Sequence, residues 1–268
     1  MEYGDKHILV LGAGASGIGA SWVLAQVGAH VVLNDYKPMT LPMDEEKRLV
    51  AAGVNIITGR QDESLLDGVD RIVISPGISL DIPIVKAAQA RGIDVVSEVE
   101  LAYEVSKSPI VAVTGTNGKT TTTTLLTKVL EGSGKPVRVG GNIGDSLSEV
   151  AYAMPADGFL VAELSSYQLE TIKHFRPVGA IMLNITPDHL ARHKTMENYI
   201  AAKERIFENQ LSTDYLVLNI DDPVVADMEH RAPSHILKIS QKKAVENGAY
   251  YADGQCYIAK DGVAKFVI

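Results

Sequence analysis

The sequence predicts an α/β protein with two successive parallel-sheet domains, and three observations predict it. Short β-branched runs alternate with helical stretches along the 268 residues, a pattern that argues for parallel strands joined by crossover helices. Two glycine-rich turns, residues 12–17 and 115–118, each sit between an apolar run and a helical one. The alternation breaks once, at Ser106-Lys107-Ser108-Pro109, where proline disfavours a helical residue before it. At roughly 150 residues per domain the length also fits two domains, 1–107 and 108–268.

In the first domain strands are predicted at 8–11, 30–33, 54–58, 71–75 and 94–96, with helices at 15–26, 44–52, 82–91 and 98–105 between and after them. The second series has strands at 110–114, 137–139, 159–163, 180–184 and 215–219, and helices at 119–132, 165–174, 196–211 and 223–230. Beyond about residue 235 the pattern changes to short alternating segments such as 249–252 and 255–259, and 263–268 reads as a final strand. A complete domain seldom ends on an unpaired apolar run, so the second domain is expected to be incomplete at its C-terminal end.

Composition excludes several classes. With 46% hydrophobic and 22% charged residues the chain is neither disordered nor collagen-like. Cys256 is the only cysteine, so no intramolecular disulfide and no cysteine-built zinc site can form, and a cytoplasmic setting is expected. Lys plus Arg number 25 against 33 Asp plus Glu, a net charge of -8 without a long basic run, which argues against a nucleic-acid partner. Residues 7–34 lack Asp, Glu, Lys and Arg and are long enough to span a bilayer. They carry five glycines, however, with Ser16, Ser21, Gln26 and His30, and Glu2 and Asp5 stand ahead of them, where a secretory signal needs positive charge. Strand, turn, helix and strand inside a soluble sheet is the better reading, and no membrane partner is expected.

Gly12-Ala13-Gly14-Ala15-Ser16-Gly17 follows an apolar strand and opens a helix. Two glycines permit a tight turn and close approach to a diphosphate; the third lets helix and strand pack, with the helix N-terminus facing the anion. Asp35, 18 residues after Gly17, ends the next strand, where a carboxylate could accept from a ribose or a base. This is a Rossmann-like pattern, and it suits a nucleotide or nucleotide-sugar site, a dinucleotide site, or a purely structural turn.

Gly115-Thr116-Asn117-Gly118-Lys119-Thr120 sits between the strand ending at Thr114 and the next helix. Backbone amides in such a P-loop-type turn can cradle phosphates, Lys119 can reach the β/γ oxygens, and the Thr120 hydroxyl can hold Mg²⁺. The spacing is shorter than the common P-loop, since Val113 stands where that pattern has its first glycine. ATP is the expected ligand, with Thr121 following in the helix. Glu163 ends the strand 159–163, and Asp188 and His189 follow another apolar strand. Strand carboxyl ends face the ligand crevice of an open parallel sheet, and an acidic residue there is a natural Mg²⁺ ligand. At about 100° per residue, Lys203 falls within the apolar stripe of its helix, with Met196, Tyr199, Ile200, Ile206, Phe207 and Leu211. A lysine there either snorkels outward or is desolvated, which lowers its pKa and makes it reactive toward CO₂ as a carbamate. Gln210 also falls in this arc.

Together these residues resemble the Mur ligases, ATP-dependent amino-acid-adding enzymes of peptidoglycan synthesis. The resemblance runs from about residue 6 to 268 and rests on Thr114-Gly115-Thr116-Asn117-Gly118-Lys119-Thr120, Gly140-Gly141-Asn142-Ile143-Gly144, Glu163-Leu164-Ser165-Ser166-Tyr167-Gln168-Leu169, Leu183-Asn184-Ile185-Thr186-Pro187-Asp188-His189 and Ala201-Ala202-Lys203. The phosphate loop is shared with folylpolyglutamate synthases; the Glu-Leu-Ser-Ser-Tyr-Gln-Leu segment resembles the D-glutamate-adding branch. The resemblance implies Lys119 on the ATP phosphates, Thr120 and Glu163 on one Mg²⁺, and His189 with a carbamylated Lys203 at a second. It implies a first domain that binds a UDP sugar through Ala15, Ser16, Asp35 and Gly77, with Asn142, Ser165 and Gln168 touching UDP-N-acetylmuramoyl-L-alanine, and D-glutamate as the second small-molecule substrate. The expected protein is a cytoplasmic monomer, and the chain alone is expected to bind ligands without completing turnover, because the family's C-terminal amino-acid-binding domain has no counterpart here. Ala191 stands where the family usually has Asp, and Tyr36 and Lys37 depart from its usual pattern beside Asp35. Within the superfamily, another Mur or folylpolyglutamate-type ligase is the main alternative, and a non-catalytic nucleotide-binding fragment is a further one. An NAD(P)-dependent oxidoreductase is the rival enzyme class, supported by the first glycine turn and Asp35; it leaves the second loop, Glu163 and Lys203 without a role.

Overall fold

A computed structural model of the chain describes residues 3–267. The chain opens with β1 (His7–Leu11), α1 (Ala15–Gln26), β2 (His30–Asp35), α2 (Met43–Ala51), β3 (Asn55–Thr58), β4 (Arg71–Ile74), α3 (Pro83–Ala90), β5 (Asp94–Ser97) and α4 (Glu98–Val105). All five strands are parallel, in the order β3-β2-β1-β4-β5. Helices cover both faces, so β1 reads as a continuous apolar run rather than an alternating one. Ile8 and Val10 pack under α1 with Ala20 and Leu24, whereas Leu9 and Leu11 pack with Ile84, Val85 and Ala88 of α3. Each such fully buried aliphatic side chain is worth about 1.5–3 kcal/mol, which makes the central strand the anchor of the unit. The strand order reverses between β1 and β4, and a crevice opens at such a point beyond the strand carboxyl ends.

The second sheet follows with β6 (Ile110–Thr114), α5 (Lys119–Glu131), β7 (Val137–Gly141), α6 (Leu147–Ala153), β8 (Phe159–Glu163), α7 (Ser166–Leu169), β9 (Gly179–Met182), α8 (Leu190–His193), α9 (Met196–Glu204), β10 (Tyr215–Asn219), α10 (Pro223–Asp227), β11 (His235–Ser240), β12 (Gly248–Ala252), β13 (Gln255–Lys260) and β14 (Val263–Phe266). Its order is β14-β13-β12-β11-β10-β9-β6-β8-β7, parallel from β7 to β12 and antiparallel for β12, β13 and β14. β6 lies at the switch point, flanked by β8 and β9, so the carboxyl ends of these three strands share one edge. No helix among the described residues is long and apolar enough to cross a membrane.

Helix α4 joins the two sheets chemically. Glu100 is fully buried, and its carboxylate accepts from the N–H groups of Lys173 (2.7 Å), His174 (2.7 Å) and Phe175 (3.0 Å). Glu98, equally buried, accepts from Ser146 Oγ (2.5 Å), Ser148 N (2.8 Å) and Ser148 Oγ (3.0 Å) ahead of and within α6. Burial pushes the Glu98 carboxyl up against these donors.

The structure corrects several sequence expectations. The helix expected over 165–174 ends at Leu169, because the backbone that follows is claimed by side chains. Glu100 takes the amides of 173–175, Arg205 donates to the carbonyls of Glu170 and Ile172, and Asn209 donates to those of Lys173 and Phe175. The helix expected to reach residue 211 is α-helical only to Glu204 and tightens into a 3₁₀ turn at Arg205–Phe207; the one expected over 223–230 does the same after Asp227. Helix α6, the short α8 and strand β11 were not expected. The final run is not unpaired, since β14 pairs antiparallel with β13; Ile268 lies outside the described residues.

Candidate active site

The loop between β6 and α5 has the form of a phosphate cradle. Gly118 holds φ +83° as the N-cap of α5, a left-handed conformation that favours glycine. The helix start has no side-chain cap, leaving first-turn amides available to an anion. The loop is tied to the segment after β9. The Asn117 N–H donates to Asn184 Oδ1 (2.8 Å) while Asn184 Nδ2 donates to Asn117 O (2.9 Å), and the Thr116 N–H donates to Asn184 O (2.9 Å). Thr116 Oγ1 donates to Thr186 O (3.2 Å), accepts from the Thr186 N–H (3.0 Å) and lies 3.0 Å from the buried Tyr199 hydroxyl. Thr120 and Thr121 are exposed on the first turn of α5.

Two lysines, one from α5 and one from α9, meet at this loop. Lys119 Nζ turns back onto the Gly115 and Thr116 carbonyls at 3.1 and 2.9 Å. Lys203 Nζ, from α9, reaches the same Gly115 carbonyl at 2.8 Å and Thr114 Oγ1 at 3.4 Å. Lys203 is only 2% exposed, so it does not snorkel, and Nζ also lies 5.0 Å from the Tyr199 ring centre. Burial first, and then the neighbouring Lys119 charge, bring its pKa down to about 7.

Glu163 ends β8 and is 1% exposed. Asn142 holds it twice: Nδ2 donates to Oε1 (2.8 Å), and the Asn142 N–H donates to the Glu163 carbonyl (2.8 Å). The other carboxylate oxygen, Oε2, is buried with no hydrogen-bond partner among the described residues. A buried unpartnered acceptor on an acidic residue suits a cation. Among the described residues no three His, Cys, Asp or Glu side chains form a chelating group by themselves. His189 stands beyond β9 as the N-cap of α8, at φ +53°; its half-exposed ring lies 4.9 Å from Tyr167, 6.4 Å from Tyr199 and, through Nε2, 3.5 Å from Asp188. Lys119 and Lys203 therefore meet just beyond β6, Glu163 ends the neighbouring β8, and His189 follows the neighbouring β9.

The first sheet carries the other half of the candidate site. A Cβ on Gly17 would lie 1.7 Å from the Gly12 carbonyl, so only glycine allows α1 to start so close to β1. Gly14, the N-cap of α1, has no side-chain cap, and a Cβ there would meet nothing within 4 Å, which leaves an open face over the helix start at Ala15 and Ser16. The Asp35 carboxylate is partly committed to its surroundings: Oδ2 accepts from the Ala13 N–H (3.0 Å) and Oδ1 from the Lys37 N–H (2.9 Å). Gly77, beyond β4, lines a cleft of about 510 Å³ whose other wall is Tyr167, Glu170, Ala191 and Arg192. Ser165 and Gln168 have a structural duty, capping α7 reciprocally: Ser165 Oγ accepts from the Gln168 N–H (3.3 Å), and Gln168 Oε1 accepts from the Ser165 N–H (3.0 Å).

Sequence reasoning gave Asn184 no role beyond its place in the Leu183–His189 segment, assigned Tyr199 to an apolar stripe without a use for its hydroxyl, and missed His193. The signal for the last was present, because His189 and His193 stand one helical turn apart.

A family model described as the Mur ligase middle domain matches residues 113–267, and one described as Mur ligase MurD-like, N-terminal domain matches residues 6–97. A protein of Thermoanaerobacter sp. (strain X514) named UDP-N-acetylmuramoylalanine--D-glutamate ligase is 46% identical over 268 residues, covering 100% of this chain and 59% of its own length. One of the same name from Geobacter metallireducens is 42% identical over 254 residues, 95% of this chain and 56% of the relative. The chain thus spans about three fifths of the length of the curated relatives it matches. A solved UDP-N-acetylmuramate:L-alanyl-gamma-D-glutamyl-meso-diaminopimelate ligase from Neisseria meningitides superposes with a TM-score of 0.63 at 23% identity, covering 97% of this chain and 86% of that one. A murein peptide ligase from Psychrobacter arcticus 273-4 gives 0.60 at 19% identity, over 98% and 60%. At those identities the likeness speaks for the fold.

Proposed function

The chain belongs to the Mur ligase family, and from that premise we propose that it is the substrate- and ATP-binding part of a ligase that joins D-glutamate to UDP-N-acetylmuramoyl-L-alanine. The observation that carries the reading is the meeting of Lys119 and Lys203 on the Gly115 carbonyl, beside an uncapped helix start and the unpartnered Glu163 carboxylate oxygen. The relatives' names supply the amino acid and the acceptor. In this reading residues 1–107 bind the UDP sugar and residues 108–268 bind ATP.

The roles follow from the chemistry of each group. The free amides at the start of α5 and the Lys119 ammonium take the ATP phosphates, for which Lys119 leaves the two carbonyls that hold it now. Thr120 and Glu163 would hold one Mg²⁺, with Asn142 orienting the Glu163 carboxylate; His189 and a carbamate on Lys203 would hold a second. The metal would supply neutralisation of the negative charge on the phosphate oxygens. Lys203, partly neutral near pH 7, can add CO₂ through its free amine with release of a proton, which would place a buried anion near the Lys119 ammonium. The alanyl carboxylate attacks the γ-phosphate to give an acyl phosphate and ADP, and the D-glutamate amine then displaces phosphate. Charge builds on oxygen in both steps, and Lys119 and the α5 amides are aimed at it in advance, which is electrostatic preorganisation. Ala15, Ser16, Asp35 and Gly77 contact the nucleotide end of the UDP sugar in this reading. Asn142, Ser165 and Gln168 contact its muramoyl end.

Calorimetric titration of the chain with ATP, with and without Mg²⁺, tests the ATP half. Saturable binding strengthened by Mg²⁺ is expected, and indifference to ATP would overturn it. Mass spectrometry after exposure to bicarbonate tests the carbamate: a labile adduct is expected in the native chain and absent from Lys203→Met.

A further inference from the structure

Helices α7 and α8 meet through contacts that neither the phosphate loop nor the glycine turn explains. His193 is buried, with Nε2 2.9 Å from Ser166 Oγ and Nδ1 3.5 Å from Glu170 Oε1. Tyr167, next to Ser166, sets its ring against both His189 (4.9 Å) and His193 (5.4 Å). Glu170 also pairs with Arg192 at 2.5 Å, and the Arg192 guanidinium lies 4.5 Å from the Tyr167 ring centre while Nη1 donates to Pro76 O (3.1 Å).

Serine, histidine and glutamate in succession have the form of a nucleophile triad, and burial decides against that use. Ser166 is 1% exposed, so no reactant can reach Oγ, and Arg192 already neutralises Glu170. Burial also lowers the His193 pKa, opposed by Glu170. A neutral ring has one donor and one acceptor nitrogen, so Nε2 can share a hydrogen bond with Ser166 while Nδ1 faces Glu170 at 3.5 Å. The triad is therefore a clamp.

What the clamp holds follows from the chain path. Ser166 begins α7, three residues after Glu163, and His193 ends α8, four residues after His189. His189 sits at positive φ with no side-chain cap bond of its own, so its placement depends on the packing around it. We infer that His193 is a positioning residue which, through Ser166, locks α8 onto α7 and thereby fixes His189 relative to Glu163. The inference rests on the reading of Glu163 and His189 as the side chains that face the cation. Groups behind metal ligands commonly change affinity 10–100-fold.

The test titrates the wild-type chain and its Ser166→Ala, His193→Ala and His193→Gln variants with ATP, with and without Mg²⁺, and follows thermal unfolding of each. Ser166→Ala and His193→Ala should each weaken the Mg²⁺-dependent part of ATP binding about tenfold while metal-free ATP affinity stays at the wild-type level. His193→Gln, whose amide can reach the place of Nε2, should restore it. If His193→Ala does not fold, Ser166→Ala, which removes a single hydroxyl, decides the question. Unchanged Mg²⁺ dependence in Ser166→Ala and His193→Ala, an equal loss with and without metal, or no recovery in His193→Gln would overturn the inference alone. A wild-type chain that binds ATP without any Mg²⁺ effect would overturn the cation reading of Glu163 and His189, and the inference with it.

Discussion

Lys119 and Lys203 donate to one and the same acceptor, the Gly115 carbonyl, at 3.1 and 2.8 Å. Two ammonium groups this close, one of them buried, cannot both keep a full charge at little cost, and Lys203, the buried one, has its pKa pushed down to about 7. Between about 7 and the 10.5 of an exposed lysine the unfolded chain binds a proton that the folded chain does not, so stability at this site rises with pH across that window. Relative to wild type, Lys203→Met should be most stable at or below about pH 7 and lose that advantage toward about pH 10, by on the order of a few kcal/mol. Urea midpoints across the range measure it, and a difference that does not vary with pH contradicts it.

Lys119→Ala should leave the fold intact, because the side chain is partly exposed and bonds only to carbonyls of its own loop. Hydrogen bonds to charged groups contribute about 1.5–3 kcal/mol, so ATP affinity should fall roughly 10- to 100-fold. Calorimetry that finds no loss would remove Lys119 from the phosphates.

Glu163→Gln keeps an acceptor for Asn142 and removes the charge beside the unpartnered position. Metal-free ATP binding should be unchanged and the gain on adding Mg²⁺ should disappear. Persistence of that gain would place the cation elsewhere.

Glu100→Ala would strand three backbone amides, those of Lys173, His174 and Phe175, in a buried joint between the sheets. A loss of at least about 3 kcal/mol in unfolding free energy is expected, with Glu100→Gln recovering part of it. A change under about 1 kcal/mol would mean that water replaces the carboxylate there.

This joint also shows what was legible in the sequence. The strands and helices flanking both glycine turns were readable because each carries its own local signal: β6 and β8 lie where the apolar runs place them, and α1 spans Ala15–Gln26 as read. Lys203 was legible as a polar residue on an apolar stripe. The early end of α7 was not, since it depends on Glu100, Arg205 and Asn209 reaching segment 170–175 from elsewhere in the chain. The role of Asn184 was hidden for a similar reason: its bonds to Asn117 exist only once β9 lies beside β6. His193 carried a spacing signal, four residues from His189, but its role showed only with Ser166 facing it.

In the proposed function a glycine-rich, Rossmann-like unit binds a UDP sugar beside a phosphate loop that binds ATP. Calorimetric titration of the chain with UDP-N-acetylmuramoyl-L-alanine, with NADH as the comparison ligand, tests it most directly. Saturable binding of the UDP sugar and none of NADH is the predicted result. Binding of NADH without the UDP sugar would contradict the account, because the turn at residues 12–17 would then serve a dinucleotide.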